Sequence, residues 1–110
     1  KYMDDSTRLF IPADLPAEIT KQIRRLAIQA CRAVDCAGMA RVDFLIEPSD
    51  YIIYISEINT IPGFTQISMY PKLWEASGLP YAALIDRLVE LALERKAEQD
   101  RTERRFGRNE

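Results

Sequence analysis

Two runs of strand-forming residues flank the break Glu47-Pro48-Ser49-Asp50, and no other feature of the chain narrows its fold as much. The runs, 40–46 and 51–58, are rich in β-branched and aromatic residues. The proline and aspartate between them suit a turn, so the pair reads as a β-hairpin. The rest reads as helix or loop. Asp14 is the expected N-cap of a long amphipathic helix, with Pro16 in its first turn. Apolar residues then recur at Ile19, Ile23, Leu26, Ala27, Ala30 and Val34, and Gly38 is the expected stop. After the hairpin comes a long loop, 59–70, containing a Pro62-Gly63 turn. A short helix starts at Pro71 and ends near Gly78. Tyr81, Leu84, Ile85, Leu88, Leu91 and Ala92 mark one face of a last helix. Beyond Glu94 the composition turns almost wholly polar and charged, which predicts a solvated helical extension and tail over 95–110.

If the hairpin pairs Leu45 with Ile53, odd-numbered residues of both strands share a face, and Arg41, Asp43, Glu57 and Asn59 converge. Val42, Phe44 and Ile46 take the other face. Two carboxylates and an amide match what magnesium takes from a protein, with water and phosphate oxygens completing its octahedron. A cationic Arg41 beside them suits charge building on a transferred phosphoryl group. An equally weighted alternative is that Arg41 and Asp43 form an ion pair while Glu57 and Asn59 close a strand end. Fifteen basic against seventeen acidic residues give a net charge of −2, too little cationic field for nucleic acid. With no histidine and no ligand spacing for zinc, any metal is expected to be a hard, oxygen-bound one. Cys31 and Cys36 are five apart in the helical pattern, on different faces, and so read as two separate reduced thiols of a cytoplasmic protein. No apolar run is long enough to cross a bilayer.

The stretch Glu57-Ile58-Asn59-Thr60-Ile61-Pro62-Gly63-Phe64-Thr65 resembles the E-x-N-x-x-P-G-[MF]-T signature of D-alanine:D-alanine ligases. Ala40-Arg41-Val42-Asp43-Phe44 resembles the arginine and aspartate strand of the same family. The likeness continues through Ser68-Met69-Tyr70-Pro71 and Leu73-Trp74-Glu75-Ala76-Ser77-Gly78. It reaches back to Lys1-Tyr2, where the family's mobile loop carries a lysine-tyrosine pair. Only the tail from about residue 95 has no counterpart.

The resemblance implies an α+β C-terminal lobe of an ATP-grasp fold, an antiparallel sheet packed by helices, occupying 1–94 with 1–13 as the end of the mobile loop and its lead-in. It implies ATP-dependent joining of two D-alanines through an acyl phosphate, for peptidoglycan precursors. Asp43, Glu57 and Asn59 would ligate two magnesium ions, or manganese, with Glu57 and Asn59 also serving the nucleotide. Arg41 and the backbone N–H of Gly63 would hold the oxyanion, and Ser68 the acceptor carboxylate beside an apolar Met69. Lys1 would reach the γ-phosphate and Tyr2 would close the loop.

Simpler roles stand beside these. Ser68 is also the expected N-cap of the short helix, and Gly63 fits a type II turn that needs positive φ. Phe44, Tyr54 and Trp74 are expected as packing residues, with Phe44 or Ile58 as an adenine contact. The expected partners are D-alanine, ATP, the N-terminal and central segments of a longer polypeptide, and a second copy in a homodimer. Without those segments the chain is expected to be inactive. Rival functions are a D-alanine:D-lactate or D-alanine:D-serine ligase, another ATP-grasp carboxylate-amine ligase, and, in a different class, a non-catalytic packing or oligomerisation module.

Overall fold

The computed structural model of the protein describes residues 8–107. Its elements run α1 (Ala17–Ala33), β1 (Arg41–Ile46), β2 (Ile53–Asn59), α2 (Met69–Ala76) and α3 (Tyr81–Gly107). The two strands form one antiparallel sheet. This is the expected α+β lobe, with α1 against the hairpin and α2 against α3. Among the described residues no helix is long and apolar enough to cross a membrane.

The hairpin forms where the strand formers predict it, with a different register. Glu47 N–H donates to Ile52 O at 2.9 Å and Tyr51 N–H donates to Glu47 O at 2.9 Å, with Tyr51 at φ 57°. Tyr51 and Ile52 therefore belong to the turn, and β2 begins at Ile53. Leu45 pairs with Tyr54, in place of the expected Ile53. Next, Phe44 stands opposite Ile55 but Asp43 stands opposite Glu57, which leaves Ser56 as the extra residue of a β-bulge. Had Ser56 stayed in the ladder, it would face Asp43, and Glu57 would fall opposite Val42 on the other side of the sheet. With the bulge, Asp43 pairs with Glu57 and Arg41 with Asn59.

α1 starts and stops differently from the reading of its sequence. Pro16, at φ −55° and ψ 144°, holds the N-cap position, with no side-chain cap, so Asp14 does not cap the helix. At the other end the helix stops after Ala33, before Gly38. Asp35 takes the left-handed conformation at φ 53°, its N–H donates to Arg32 O at 3.1 Å, and Cys36 N–H donates to Cys31 O at 3.0 Å. This is the Schellman pattern, in which a left-handed residue one place past the cap turns the chain back over the last helical turn. Aspartate tolerates that conformation because its short polar side chain bonds locally. Cys36 thus lies outside the helix, and the assignment of the two cysteines to different helix faces fails.

α2 ends by the same device, and here glycine supplies it. Gly78 at φ 97° donates to Glu75 O at 3.0 Å, and Leu79 N–H donates to Trp74 O at 2.9 Å. The turn aims α3 back along α2, where Leu84 is buried at 2% exposure. α3 then continues as one helix through the charged stretch, where its side chains between 95 and 105 are almost all exposed. The core is small: among the described residues the buried hydrophobic ones are Ala30, Tyr70 and Leu84. Of the three expected packing aromatics, Phe44 is half-buried, while Tyr54 and Trp74 are 52% and 42% exposed. Tyr54 pairs with Leu45 on the face of the sheet away from α1, which no described element covers, so Leu45 is exposed with it. Trp74 reaches Tyr70 edge-on with its ring centroid 6.4 Å away.

Candidate functional site

Paired residues of an antiparallel ladder share a face, their Cβ atoms about 5 Å apart. The register therefore sets Arg41 and Asp43 on β1 beside Asn59 and Glu57 on β2. Val42 and Ile58 pair on the opposite face, and Val42 and Phe44 line a groove beneath α1.

The Arg41 guanidinium grips Asp43 with two bonds, Nε to Oδ1 at 2.9 Å and Nη2 to Oδ2 at 3.1 Å. Both side chains are partly sheltered, at 28% and 37% exposure. The bonded Asp43 carboxylate, with a lesser contribution from the field of Glu57, holds Arg41 above its usual pKa range, so its charge is permanent. Asn59 Oδ1 accepts the N–H of Ile61 at 3.1 Å, an Asx turn that starts the loop, and keeps a second lone pair. The ion pair weighed as an alternative thus exists on the same face as Glu57 and Asn59.

A second shelf of the site comes from the loop between β2 and α2. Phe64 anchors it, with its ring centroid 5.4 Å from Tyr81 and 6.0 Å from Tyr70, and its carbonyl accepts the Tyr81 hydroxyl at 3.0 Å. Ser68 occupies the N-cap position of α2 but makes no side-chain cap bond, so the simple capping role is not what its hydroxyl does. Its Oγ accepts the N–H of Thr65 at 3.0 Å and lies 2.7 Å from the Thr65 hydroxyl. Gly63 does not have the positive φ that a type II turn would give it; Gly38 and Gly78 are the glycines that do. What a side chain at Gly63 would meet is Ser68, since a Cβ there would lie 3.2 Å from Ser68 Oγ.

A cavity of about 590 Å³ joins the two shelves, lined by Arg41, Asp43, Gly63, Ser68 and Met69 with apolar residues that include Leu9. Glu57 and Asn59 stand on the neighbouring strand and do not line it. Lys1 and Tyr2 lie outside the described residues. Thr65 and Leu9 are among the contributors that carried no expected role. Thr65, which holds Ser68, was legible as the residue closing the Pro-Gly loop motif, three places before a helix start. Leu9 had no signal, because its place comes from the fold of an irregular lead-in.

The donor chemistry admits a hard cation. Among the described residues no three of His, Cys, Asp and Glu gather to hold a metal, so a protein-only cage is absent from that part. Two carboxylates with one amide oxygen are the sparse set that magnesium accepts when phosphates and water complete its shell. A fixed arginine and a backbone N–H at a glycine beside it suit a developing oxyanion.

The family model for the D-ala D-ala ligase C-terminus matches residues 1–90. A D-alanine–D-alanine ligase of Solibacter usitatus is 56% identical over 98% of this chain and 33% of its own length. The solved D-alanine-D-alanine ligase of Coxiella burnetii superposes with a TM-score of 0.83 at 54% identity, covering 86% of this chain and 27% of that one. The Bacillus anthracis D-alanine–D-alanine ligase complexed with ATP gives 0.73 at 36% identity, over 78% of this chain and 30% of that one. The chain thus spans between a quarter and a third of the length of the curated relatives it matches. With the family model matching residues 1–90 and a relative 56% identical over nearly all its length, the chain belongs to the D-ala D-ala ligase C-terminus family.

Proposed function

We propose that the enzyme carrying this chain joins two D-alanines at the expense of ATP, and that this chain supplies the cation-binding strand pair and the acceptor shelf. The observation that carries the reading is the convergence of Arg41, Asp43, Glu57 and Asn59 on the face beside Gly63 and Ser68. The relatives' names support the substrate, and the ATP complex of the Bacillus anthracis relative supports the nucleotide.

Asp43, Glu57 and Asn59 would hold two magnesium ions, or manganese. Such ions, when bound, neutralise the charge on the phosphates during transfer of the γ-phosphoryl group to the first D-alanine carboxylate. Ion binding requires Asp43 to share its oxygens with, or take them from, Arg41. Arg41 gives two of its five N–H donors to Asp43 and has others to spare for the carbonyl oxygen that would become an oxyanion when the second amine attacks. Gly63 N–H is the second donor, and the missing Cβ lets the reacting centre come close. Ser68 Oγ already accepts from Thr65 N–H, so its own proton is available to a carboxylate whenever the Thr65 hydroxyl donates in the other direction. Lys1 and Tyr2 are assigned to the γ-phosphate and to loop closure. Adenine, the first D-alanine and the remaining phosphate contacts fall to segments of the relatives beyond the stretch matched here, and the reaction assigns the enzyme to the cytoplasm, where ATP is.

In the complete enzyme Glu57→Gln is expected to abolish phosphate release from ATP in the presence of D-alanine while leaving the folded state intact by circular dichroism. Turnover near the wild-type rate in that variant would overturn the cation role. Coupling products formed across a series of D-amino acids and D-lactate identify the acceptor; preference for an acceptor other than D-alanine would overturn that part of the reading.

A further inference from the structure

The end of α1 brings two sulfurs together. In a Schellman closure the residue two places past the cap folds back onto the third residue from the helix end, and a side-chain contact commonly joins them. Those two positions are Cys36 and Cys31, linked through the backbone by the bond from Cys36 N–H to Cys31 O at 3.0 Å. Both thiols are free and half-buried, and both line the groove of about 560 Å³ between α1 and the sheet. Arg24 and Arg32 line the same groove. Burial first and the neighbouring Cys36 thiol second push the Cys31 thiol above its usual range. Neither cysteine is among the residues assigned a part in the ligase chemistry.

We propose that Cys31 and Cys36 form a dithiol modification site that small-molecule disulfides convert into an internal disulfide, fixing the turn between α1 and β1. One thiolate attacks a sulfur of the small disulfide, breaks its S–S bond and releases one small thiol, leaving a mixed disulfide on the protein. The second thiolate attacks the protein sulfur of that mixed disulfide, forms the Cys31–Cys36 bond and releases the other small thiol. The two protein protons leave on the released thiols, the pair is oxidised by two electrons and the small disulfide is reduced by two. Because the rate follows the thiolate fraction, exchange quickens as pH rises above neutrality.

The sequence offers a direct readout. Trypsin cuts after Arg25, Arg32 and Arg41, which puts Cys31 on fragment 26–32 and Cys36 on fragment 33–41. The complete native enzyme is incubated with oxidised glutathione, its remaining thiols are blocked, and it is digested without reductant. The expected result is that the two fragments travel as one linked species in mass spectrometry and separate on reduction. Cys31→Ser is expected to keep a lasting glutathione adduct on fragment 33–41, since no second thiol resolves it. The proposal is overturned if the wild-type fragments remain separate, each thiol blocked or carrying its own adduct. It is equally overturned if they link only after urea unfolding, or if Cys36 of the Cys31→Ser variant stays unmodified.

Discussion

Gly63 lacks a side chain for a reason other than backbone freedom. Its φ is unremarkable for an L-residue, yet a Cβ would press on Ser68 Oγ at 3.2 Å, and Ser68 is held from behind by Thr65. Gly63→Ala therefore displaces the hydroxyl assigned to the acceptor carboxylate, and the expected outcome is a KM for the second D-alanine raised by about tenfold, the scale of one hydrogen bond to a charged group. The KM for ATP stays near its wild-type value, and an equal rise in both would count against the assignment. At this scale the strand pair was legible: Arg41, Asp43, Glu57 and Asn59 are grouped by their types and spacing and do share a face, whereas Ser68 is named only through the family resemblance. The sequence reading misplaced Cys36, because the helical period was carried past the point where Asp35 breaks it, although both thiols are free as read.

Helix ends and the hairpin belong to the next scale. Both α1 and α2 close with a left-handed residue, but Asp35 stands in one and Gly78 in the other. Open space surrounds Gly78, with nothing within 4 Å of the point a Cβ would occupy, so the effect of Gly78→Ala is conformational alone. The expected loss is about 1 kcal/mol of stability, read as an earlier midpoint in urea. Asp35→Gly is expected to shift the midpoint the other way by a smaller amount, since aspartate already accommodates the geometry. A rise in stability for Gly78→Ala would contradict the closure described. Strand formers and the Pro-Asp break made the hairpin readable, but its register was not. Alternation of side chains shows which residues share a strand face, whereas a bulge is one additional residue whose identity, Ser56, carries no mark of its own.

Taken whole, the chain has a large surface for its mass. It exposes 9208 Å² where a compact monomer of 12.7 kDa has roughly 6,200 Å². Its radius of gyration is 17.6 Å against about 13 Å for a compact domain of this length. Large apolar side chains such as Phe10, Ile61, Ile67 and Leu93 lie more than half exposed. Expressed alone, the chain is expected to bind a hydrophobic fluorescent dye strongly and to self-associate, while the complete enzyme does neither; a monodisperse, dye-silent fragment would contradict this. The half of α3 beyond Glu94 behaves oppositely. Its Lys96–Asp100 pair at 3.1 Å is exposed, and pairs of this kind contribute little. Truncation of the complete enzyme after Glu94 is expected to leave kcat and KM within about twofold of wild type, the range of ordinary surface changes. The small core was foreseeable from length; which faces go uncovered was not, because the pattern of one strand or helix does not show what packs against it.

Ser56 turns the strand pair into a device with two phases. If the ladder slid by a single position, a hydroxyl would replace a carboxylate across from Asp43, and half of the negative charge would move to the greasy side of the sheet. Substitutions along β2 should then act by degrees, whereas any change in its spacing should act as a switch.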